Sequence, residues 1–260
     1  MIKPGICSVT FREKSVEEVI QLTVEAGLDG IEWGGDRHVP AGDIKTAERV
    51  GKLTRDAGLV PASYGSYYFA FDLPGASPAD CEPTVEAAVA LGAPAIRIWA
   101  GSMKVEEKTP DYFDTVVQQS CRMADLAQEV GIKVAYEFHP GTYTETLEGL
   151  LKLLDAAAHP NLYAYWQPRF SDDLDERLRQ IAVLKEKNSL LNLHVYHWDN
   201  PPDYTRFPLE AGERFWPACF KAADDVDTER FALIEFVLDN DPARFLHDAA
   251  TLKTWLGQDK

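Results

Sequence analysis

The stretch ADLAQEVGIKVAYEFHPG, residues 124–141, contains the unit from which the rest of the chain is built. Its first part completes an amphipathic helix, and Gly131 is a residue at which such a helix stops. Lys133–Phe138 then forms a short run rich in apolar and aromatic residues, which is typical of a buried parallel strand. Helix, glycine and strand in this order is the return connection of a βα unit.

The same order recurs along the whole chain, with glycine stops at Gly27, Gly58 and Gly92. The first helix has a capping-box start, in which Ser15 is followed three residues later by Glu18. The predicted strands are Gly5–Val9, Gly30–Trp33, Val60–Tyr64, Ala95–Trp99, Lys133–Phe138, Leu162–Trp166, Leu191–Tyr196 and Ala232–Val237. After the first, the predicted helices are Asp43–Ala57, Pro78–Leu91, Asp111–Val130, Thr144–Ala157, Asp175–Lys187, Glu213–Ala223 and Pro242–Leu256.

Eight strands that are each followed by a helix predict an α/β protein with a closed (β/α)8 TIM barrel. The alternative is a doubly wound sheet, but no G-x-G-x-x-G motif follows the first strand. The length of 260 residues is close to that of one barrel, and no linker interrupts it. We therefore expect a single domain over residues 1–260.

Charge and cysteine content exclude several classes of protein. The net charge of −16 disfavours nucleic acid and anionic membrane surfaces as partners, because both are bound mainly through clustered Lys and Arg. The four cysteines are widely spaced, which is typical of reduced thiols rather than of a disulfide framework or a thiolate metal cluster. Without a signal peptide or a long apolar run, we expect a cytoplasmic protein.

Polar residues inside apolar strands are the main evidence for a functional site. Side chains of a strand alternate between its two faces, so Glu137 and His139 share the face opposite Val134, Tyr136 and Phe138. By the same rule Glu235 points into the barrel, and its strand neighbours Ala232, Ile234 and Phe236 face the helices. A buried carboxylate is costly unless a cation or a donor satisfies it. Two buried carboxylates, together with a histidine on strand seven, favour a functional site over two separate ion pairs.

Aromatic residues give a second indication. Four of the six tryptophans fall at strand ends, where the loops of a barrel form its mouth: Trp33, Trp99, Trp166 and Trp198. Core filling is the alternative explanation, since tryptophan buries a large area. Aromatic walls suit the apolar faces of sugars, so we expect a small-molecule carbohydrate substrate. His194, Tyr196 and Trp198 share one face of strand seven, and His38 lies in the loop after strand two.

Five short motifs resemble those of the xylose-isomerase-like barrels, the superfamily of sugar phosphate isomerases and epimerases. They are Gly30-Ile31-Glu32, Arg97-Ile98-Trp99-Ala100-Gly101, Glu137-Phe138-His139-Pro140-Gly141, His194-Val195-Tyr196 and Glu235-Phe236. The resemblance covers essentially the whole chain. It implies a divalent metal, Mn²⁺, Mg²⁺ or Zn²⁺, bound by Glu137, Gln167, His194 and Glu235. On strand seven, Tyr196 is the alternative to His194 for the ligand position. Gln167 stands where the family typically has Asp, which implies weaker binding or an altered site.

The resemblance also implies a mechanism in which Glu137 and Glu235 exchange protons with a sugar. A metal on the carbonyl and its neighbouring hydroxyl stabilises the enediolate that forms. The expected substrate-binding residues are Tyr64, Arg97, Trp99, His139, Trp198 and His38.

The predicted function is a sugar or sugar-acid isomerase or epimerase, with or without a phosphate on its substrate. A lyase or dehydratase acting on a keto-sugar or cyclitol is the alternative, because the same enediolate can lose a hydroxyl. A second alternative is a sugar-binding barrel of weakened catalytic activity. The net charge of −16 disfavours a DNA-repair endonuclease. The resemblance is also compatible with a homo-oligomer.

Overall fold

The computed structural model describes residues 1–72, 79–102, 109–168, 173–199 and 204–258. Its strands are β1 Ile2–Cys7, β2 Gly30–Gly34, β3 Val60–Phe69, β4 Ala95–Trp99, β5 Lys133–Glu137, β6 Leu162–Trp166, β7 Leu190–Val195 and β8 Arg230–Ile234. All pair in parallel and in chain order, and β8 returns to β1, which closes the barrel. The predicted (β/α)8 fold is confirmed.

Eight helices surround the barrel: α1 Val16–Glu25, α2 Ile44–Asp56, α3 Glu82–Leu91, α4 Pro110–Glu129, α5 Leu147–Ala157, α6 Leu174–Glu186, α7 Trp216–Ala223 and α8 Pro242–Trp255. Both halves of the predicted capping box are present, since Ser15 accepts from the Glu18 amide and Glu18 accepts from the Ser15 amide. Pro78, the predicted start of the third helix, lies outside the described residues. Among the described residues, no helix is long and apolar enough to cross a membrane.

Strands β4 and β6 have the predicted limits, whereas the first, third and last strands differ. Strand β1 starts three residues earlier than predicted and β8 two residues earlier, and β3 continues to Phe69. Strand β8 already ends at Ile234, and Phe236 has a positive φ of 55°. A non-glycine residue in this region departs from the extended backbone that keeps side chains alternating. The predicted orientation of Phe236 toward the helices is therefore wrong. Its ring lies at the barrel mouth, 5.6 Å from the ring of Trp198.

Two layers of buried apolar side chains hold the barrel. The larger lies between strands and helices, and the smaller fills the barrel interior with small residues and a few large ones such as Tyr165 and Leu233. Cys7 and Val9 belong to the interior layer, at the β1 end that leads to the mouth. The interior core therefore continues directly into the polar residues at the carboxyl ends of the strands.

Gly51 allows a close approach between α2 and the end of α3. A Cβ at residue 51 would overlap the Leu91 carbonyl oxygen and lie 2.9 Å from its carbon, both of which are backbone atoms. We expect Gly51→Ala to lower the free energy of unfolding by about 1–3 kcal/mol, because a buried helix contact must separate. Urea denaturation measures this change. The neighbouring exposed variant Lys52→Ala loses a surface ion pair with Asp56 and serves as a near-neutral control. Equal effects of the two substitutions would contradict the packing argument.

Candidate active site

A cluster of charged side chains fills the mouth end of the barrel interior. Glu32 on β2, Arg97 on β4, Glu137 on β5, His194 on β7 and Glu235 after β8 are all buried. Five strands of the barrel supply these residues, and the closed topology brings them together. The sequence prediction identified four of them as site residues, Arg97, Glu137, His194 and Glu235.

Arg97 is the buried cation that faces two carboxylates. Its Nη1 lies 2.9 Å from Glu137 Oε2, and its Nε lies 3.6 Å from Glu32 Oε1. These contacts are ion pairs without hydrogen-bond geometry, since neither nitrogen has a hydrogen-bond partner among the described residues. Glu137 Oε2 also accepts a hydrogen bond of 2.6 Å from Trp99 Nε1. Arg97 and Trp99 thus fix the orientation of the Glu137 carboxylate.

Gly65 makes the room that this arrangement needs. It is paired in register with Arg97 across β3 and β4. A Cβ at residue 65 would lie 2.7 Å from Glu32 Oε1 and 3.2 Å from Arg97 Nη2. Such contacts are shorter than packed side chains tolerate, so a larger residue would force the two charges apart.

His194 lies at the centre of the cluster and contacts carboxylates through both ring nitrogens. Its Nδ1 lies 2.9 Å from Gln167 Oε1, 3.4 Å from Glu137 Oε1 and 3.5 Å from Glu235 Oε2. Its Nε2 lies 3.3 Å from Glu32 Oε1. The structure therefore brings together all four residues predicted to hold a metal. Gln167 is further fixed by a hydrogen bond from its Nε2 to the Phe138 carbonyl.

The two predicted acid–base residues differ in protonation. Burial alone would raise the pKa of Glu137, but the charges of Arg97 and His194 outweigh it and hold the pKa below its ordinary value. Burial raises the pKa of Glu235 to about 7; the charge of His194 opposes this shift, and that of Glu137 adds to it. Near neutral pH, Glu137 is ionised and Glu235 carries a proton for a large part of the time.

The electrostatics of His194 follow from its surroundings. Burial alone would lower the pKa of the imidazole, but Cys7, Glu235 and Glu32 raise it well above the ordinary value. The pKa of Glu32 is correspondingly lowered, because His194 and Arg97 outweigh the effect of its burial. Two cations thus balance the ionised Glu32 and Glu137 inside the barrel.

A pocket of about 100 Å³ opens above the cluster. Glu137, Gln167 and Glu235 form its polar part. Its remaining lining is formed by His139, Pro140, Tyr196, Trp198, Tyr204 and Phe236. The rings of Tyr196 and Trp198 are stacked with centroids 4.2 Å apart, so one side of the pocket is an aromatic wall. Both proposed acid–base groups therefore face the same small space.

The predicted substrate-binding residues divide into two groups. His139 and Trp198 line the pocket, whereas Arg97 and Trp99 contact Glu137 Oε2 and are not among the pocket-lining residues. Tyr64 is fully buried, and its hydroxyl donates to the Val39 carbonyl. Both ring nitrogens of His38 are engaged, with Ser8 Oγ and the Lys14 carbonyl. Tyr64 and His38 thus connect loops of the barrel mouth and are not among the pocket residues.

Two of the four tryptophans do not contribute to the mouth. Trp33 and Trp166 are fully buried, and their indole nitrogens donate to Thr54 in α2 and Gln180 in α6. They fill the layer between strands and helices, so an aromatic wall of four tryptophans was a wrong expectation. Trp99 and Trp198 are at the site as expected.

Glu32 is the site residue that the sequence prediction missed. Ser63 Oγ donates to its Oε2 over 2.6 Å, and its Oε1 contacts both Arg97 and His194. The signal was available, because Glu32 stands between Ile31 and Trp33 as Glu235 stands between two apolar residues. Cys7, predicted from the sequence to be one of four reduced thiols, also contacts this cluster, with its Sγ 3.9 Å from Glu32 Oε1.

Fold and site together define a (β/α)8 barrel with a buried cluster of carboxyl groups, one guanidinium and one imidazole toward the carboxyl ends of its strands. The chain matches the xylose isomerase-like TIM barrel family over residues 20–255 and belongs to that family.

Solved structures and one curated protein show what the chain is similar to. It is 28% identical over 172 residues to a 3-dehydroshikimate dehydratase of Bacillus anthracis, a match that spans 62% of this chain and 60% of that relative. A crystal structure of a "probable 3-DHS dehydratase" of Bacillus anthracis aligns with a TM-score of 0.77 at 20% identity, over 97% of this chain and 99% of the other. A D-allulose 3-epimerase of Methylomonas aligns with a TM-score of 0.71 at 16% identity, over 97% of both chains. Dehydratases and epimerases thus share this fold.

Replacing Glu32 by Gln tests the charge balance of the cluster. The substitution keeps the shape of the side chain but leaves Arg97 and His194 with one anion fewer. We expect the free energy of unfolding to fall by about 3–5 kcal/mol, the usual cost of removing one partner from a buried ion pair. Urea denaturation measures the change. Glu17→Gln breaks the exposed ion pair with Arg49 by the same chemical change and should have little effect. A comparable effect of both variants would show that the buried charges are not coupled.

Proposed function

We propose that this chain is a dehydratase, a lyase that removes water from a small hydroxylated carbonyl compound by acid–base catalysis. The observation that carries the proposal is that Glu137 and Glu235 face one pocket, while only Glu137 is paired with Arg97. Two carboxyl groups in different environments are the usual source of one base and one acid in a single site. The sequence analysis favoured isomerase or epimerase activity, which we retain as a second candidate.

Glu137 is suited to the role of base. Arg97 and Trp99 both contact its Oε2, which leaves Oε1 on the side that faces His194. The paired oxygen fixes the carboxylate, and the other oxygen is available to accept a proton from a carbon next to the carbonyl. Glu235 makes no contact of this kind with Arg97 among the described residues, and its raised pKa suits the role of acid.

The proposed reaction balances with these two groups. Glu137 takes the proton, and the electrons of the broken C–H bond form a C=C bond. The C–O bond of the neighbouring hydroxyl breaks, Glu235 gives its proton to the departing oxygen, and water leaves. Glu137 ends protonated and Glu235 ionised, so one proton exchange with solvent restores the starting state.

A divalent cation fits the donor groups at this site. His194 is a buried imidazole whose Nε2 has no hydrogen-bond partner among the described residues, and carboxylates surround it. Glu137, His194, Glu235 and the Gln167 carbonyl oxygen would hold the ion, which are the four ligands that the sequence analysis expected. Such an ion stabilises the negative charge that develops on the substrate oxygen.

The comparisons support a dehydratase as the first candidate, because the matched curated protein carries that activity in its name. The pocket supports the same class of substrate, since Tyr196 and Trp198 offer an aromatic wall and the carboxyl groups offer acceptors for hydroxyls. Epimerisation or isomerisation needs the same two residues, with the proton returned to carbon instead of to a leaving hydroxyl. Structural similarity to epimerases and the aromatic wall favour this second candidate.

Incubation with 3-dehydroshikimate, D-allulose and L-ribulose in D₂O, followed by NMR, separates the two candidates. A dehydratase forms a dihydroxybenzoate from 3-dehydroshikimate, whereas an epimerase incorporates deuterium at a carbinol carbon of a ketose. We expect Glu137→Gln and Glu235→Gln each to lower turnover about 10²- to 10⁴-fold, the usual contribution of a general acid or base. Glu17→Gln, on the surface, is the matched control. Full activity in either site variant would contradict the assigned roles.

Protein purified without chelator should retain a divalent ion, measured by elemental analysis. Chelation should lower the melting temperature of the wild type, because an ion that binds only the folded chain stabilises it. Glu235→Gln should retain less metal and respond less to chelator. The metal component would be contradicted if the wild type contains no metal and its melting temperature is unchanged by added Mn²⁺, Mg²⁺ or Zn²⁺. The acid–base roles of the two glutamates would then be tested by the turnover assay alone.

A further inference from the structure

The Cys7 thiol lies in direct contact with the charged cluster. Cys7 is the last residue of β1 and is paired in register with Glu32. Its Sγ lies 3.9 Å from Glu32 Oε1, and the same oxygen lies 3.3 Å from His194 Nε2. Ligand atoms of Cys7, His194 and Glu235 all lie within 4.8 Å of one another. A thiol, an imidazole and a carboxyl group therefore converge at one point inside the barrel.

The orientation of His194 leaves one nitrogen for a ligand. Gln167 Oε1 lies 2.9 Å from Nδ1 and can only accept, so Nδ1 carries a hydrogen. An acceptor on one ring nitrogen fixes the imidazole and presents the other nitrogen to a metal. That other atom, Nε2, is fully buried and has no hydrogen-bond partner among the described residues. Cys7 Sγ and His194 Nε2 both contact Glu32 Oε1, so the ring nitrogen that makes no hydrogen bond among the described residues is on the side of the thiol.

These three donors form a set that zinc uses in catalytic sites. Such sites have three protein ligands, drawn from Cys, His and carboxylate, and an open fourth position. Metal–sulfur and metal–nitrogen bonds of about 2.3 Å and 2.0 Å place tetrahedral donors roughly 3.5 Å apart. The observed limit of 4.8 Å requires the donors to move together by about 1 Å when an ion binds.

We propose that Cys7 is a metal ligand and that the site binds a thiophilic divalent ion, Zn²⁺ or Co²⁺, through Cys7, His194 and Glu235. The proposal rests on the metal component of the proposed function and refines it. Gln167 then orients His194 instead of binding the ion, which accounts for an amide where the family typically has a carboxylate. Cys7 supplies the negative charge that the amide lacks. When the ion binds, the Cys7 thiol, the Nε2 of the His194 imidazolium and any protonated Glu235 each release a proton to solvent. Soft thiolate selects Zn²⁺ and Co²⁺ over Mg²⁺ and Mn²⁺.

Titration of the metal-free full-length chain with Co²⁺ tests the ligand directly. A cobalt–thiolate bond gives a near-ultraviolet charge-transfer band, and we expect this band in the wild type at one equivalent. Cys7→Ser should lose the band and bind Zn²⁺ at least 10-fold more weakly. Cys219→Ser, which removes another buried thiol remote from the cluster in α7, should keep both properties. Zinc-edge X-ray absorption of the wild type detects one sulfur neighbour without any variant, which keeps the test valid if Cys7→Ser folds poorly.

The outcomes separate this inference from the proposed function. Co²⁺ bound without the charge-transfer band, a band that survives in Cys7→Ser, or a zinc shell without sulfur would each overturn the assignment of Cys7. Any of these results leaves a metal held by oxygen and nitrogen donors. Absence of Co²⁺ binding in the wild type overturns Cys7 together with the metal component. Turnover of substrate by metal-free protein, measured separately, then decides whether the acid–base roles of Glu137 and Glu235 stand.

Discussion

The ion pair between Arg97 and Glu137 is the interaction on which the rest of the site depends. Both side chains are removed from water, and each charge would be costly inside the barrel without the other. Because Arg97 holds Glu137 in its ionised form, the negative charge of Glu137 adds to the effect of burial on its neighbour Glu235. One buried guanidinium therefore makes the two carboxyl groups different, and the proposed roles of base and acid follow from that difference.

The barrel makes this arrangement possible through register and through one small residue. In-register pairing aligns Cys7 with Glu32 and Glu32 with Ser63 across the first three strands. Gly65, the next interior position on β3, has no side chain, and the Glu32 carboxylate and the Arg97 guanidinium occupy the space. The chain as a whole thus carries an excess of negative charge, whereas anions and cations are balanced in the barrel interior.

Strand alternation predicted the interior positions of Glu137 and Glu235 correctly, since Glu137 is the last residue of β5 and Glu235 directly follows the last residue of β8. The same rule failed for Phe236, one residue further, because its backbone is no longer extended. For Tyr64 and Trp33 the error was different. Trp33 lies beside the last residue of β2 as predicted, and Tyr64 lies within β3, which continues to Phe69. Both side chains face the helices, so position along a strand does not establish a place at the mouth.

Partners of the interior residues were harder to predict than their positions. Arg97 was predicted to bind substrate, but its contact with two carboxylates depends on the closeness of strands that are distant in sequence. The role of Gln167 likewise depends on His194, 27 residues further along the chain. Cys7 gave no sequence signal, since a lone cysteine is most often an inert core residue. Family resemblance predicted the fold and the two glutamates. The charge balance could not be predicted in this way, because it depends on which side chains meet in the folded chain.

Carboxyl-carbon NMR of metal-free protein labelled with ¹³C-glutamate tests the central claim most directly. Spectra of Glu137→Gln and Glu235→Gln assign the two resonances by their absence. Our account predicts that Glu235 titrates near pH 7 and that Glu137 remains ionised well below pH 4.5, where an ordinary glutamate takes up its proton. Two resonances that both titrate near pH 4.5 would contradict it, because the buried charges would then not separate the acid from the base.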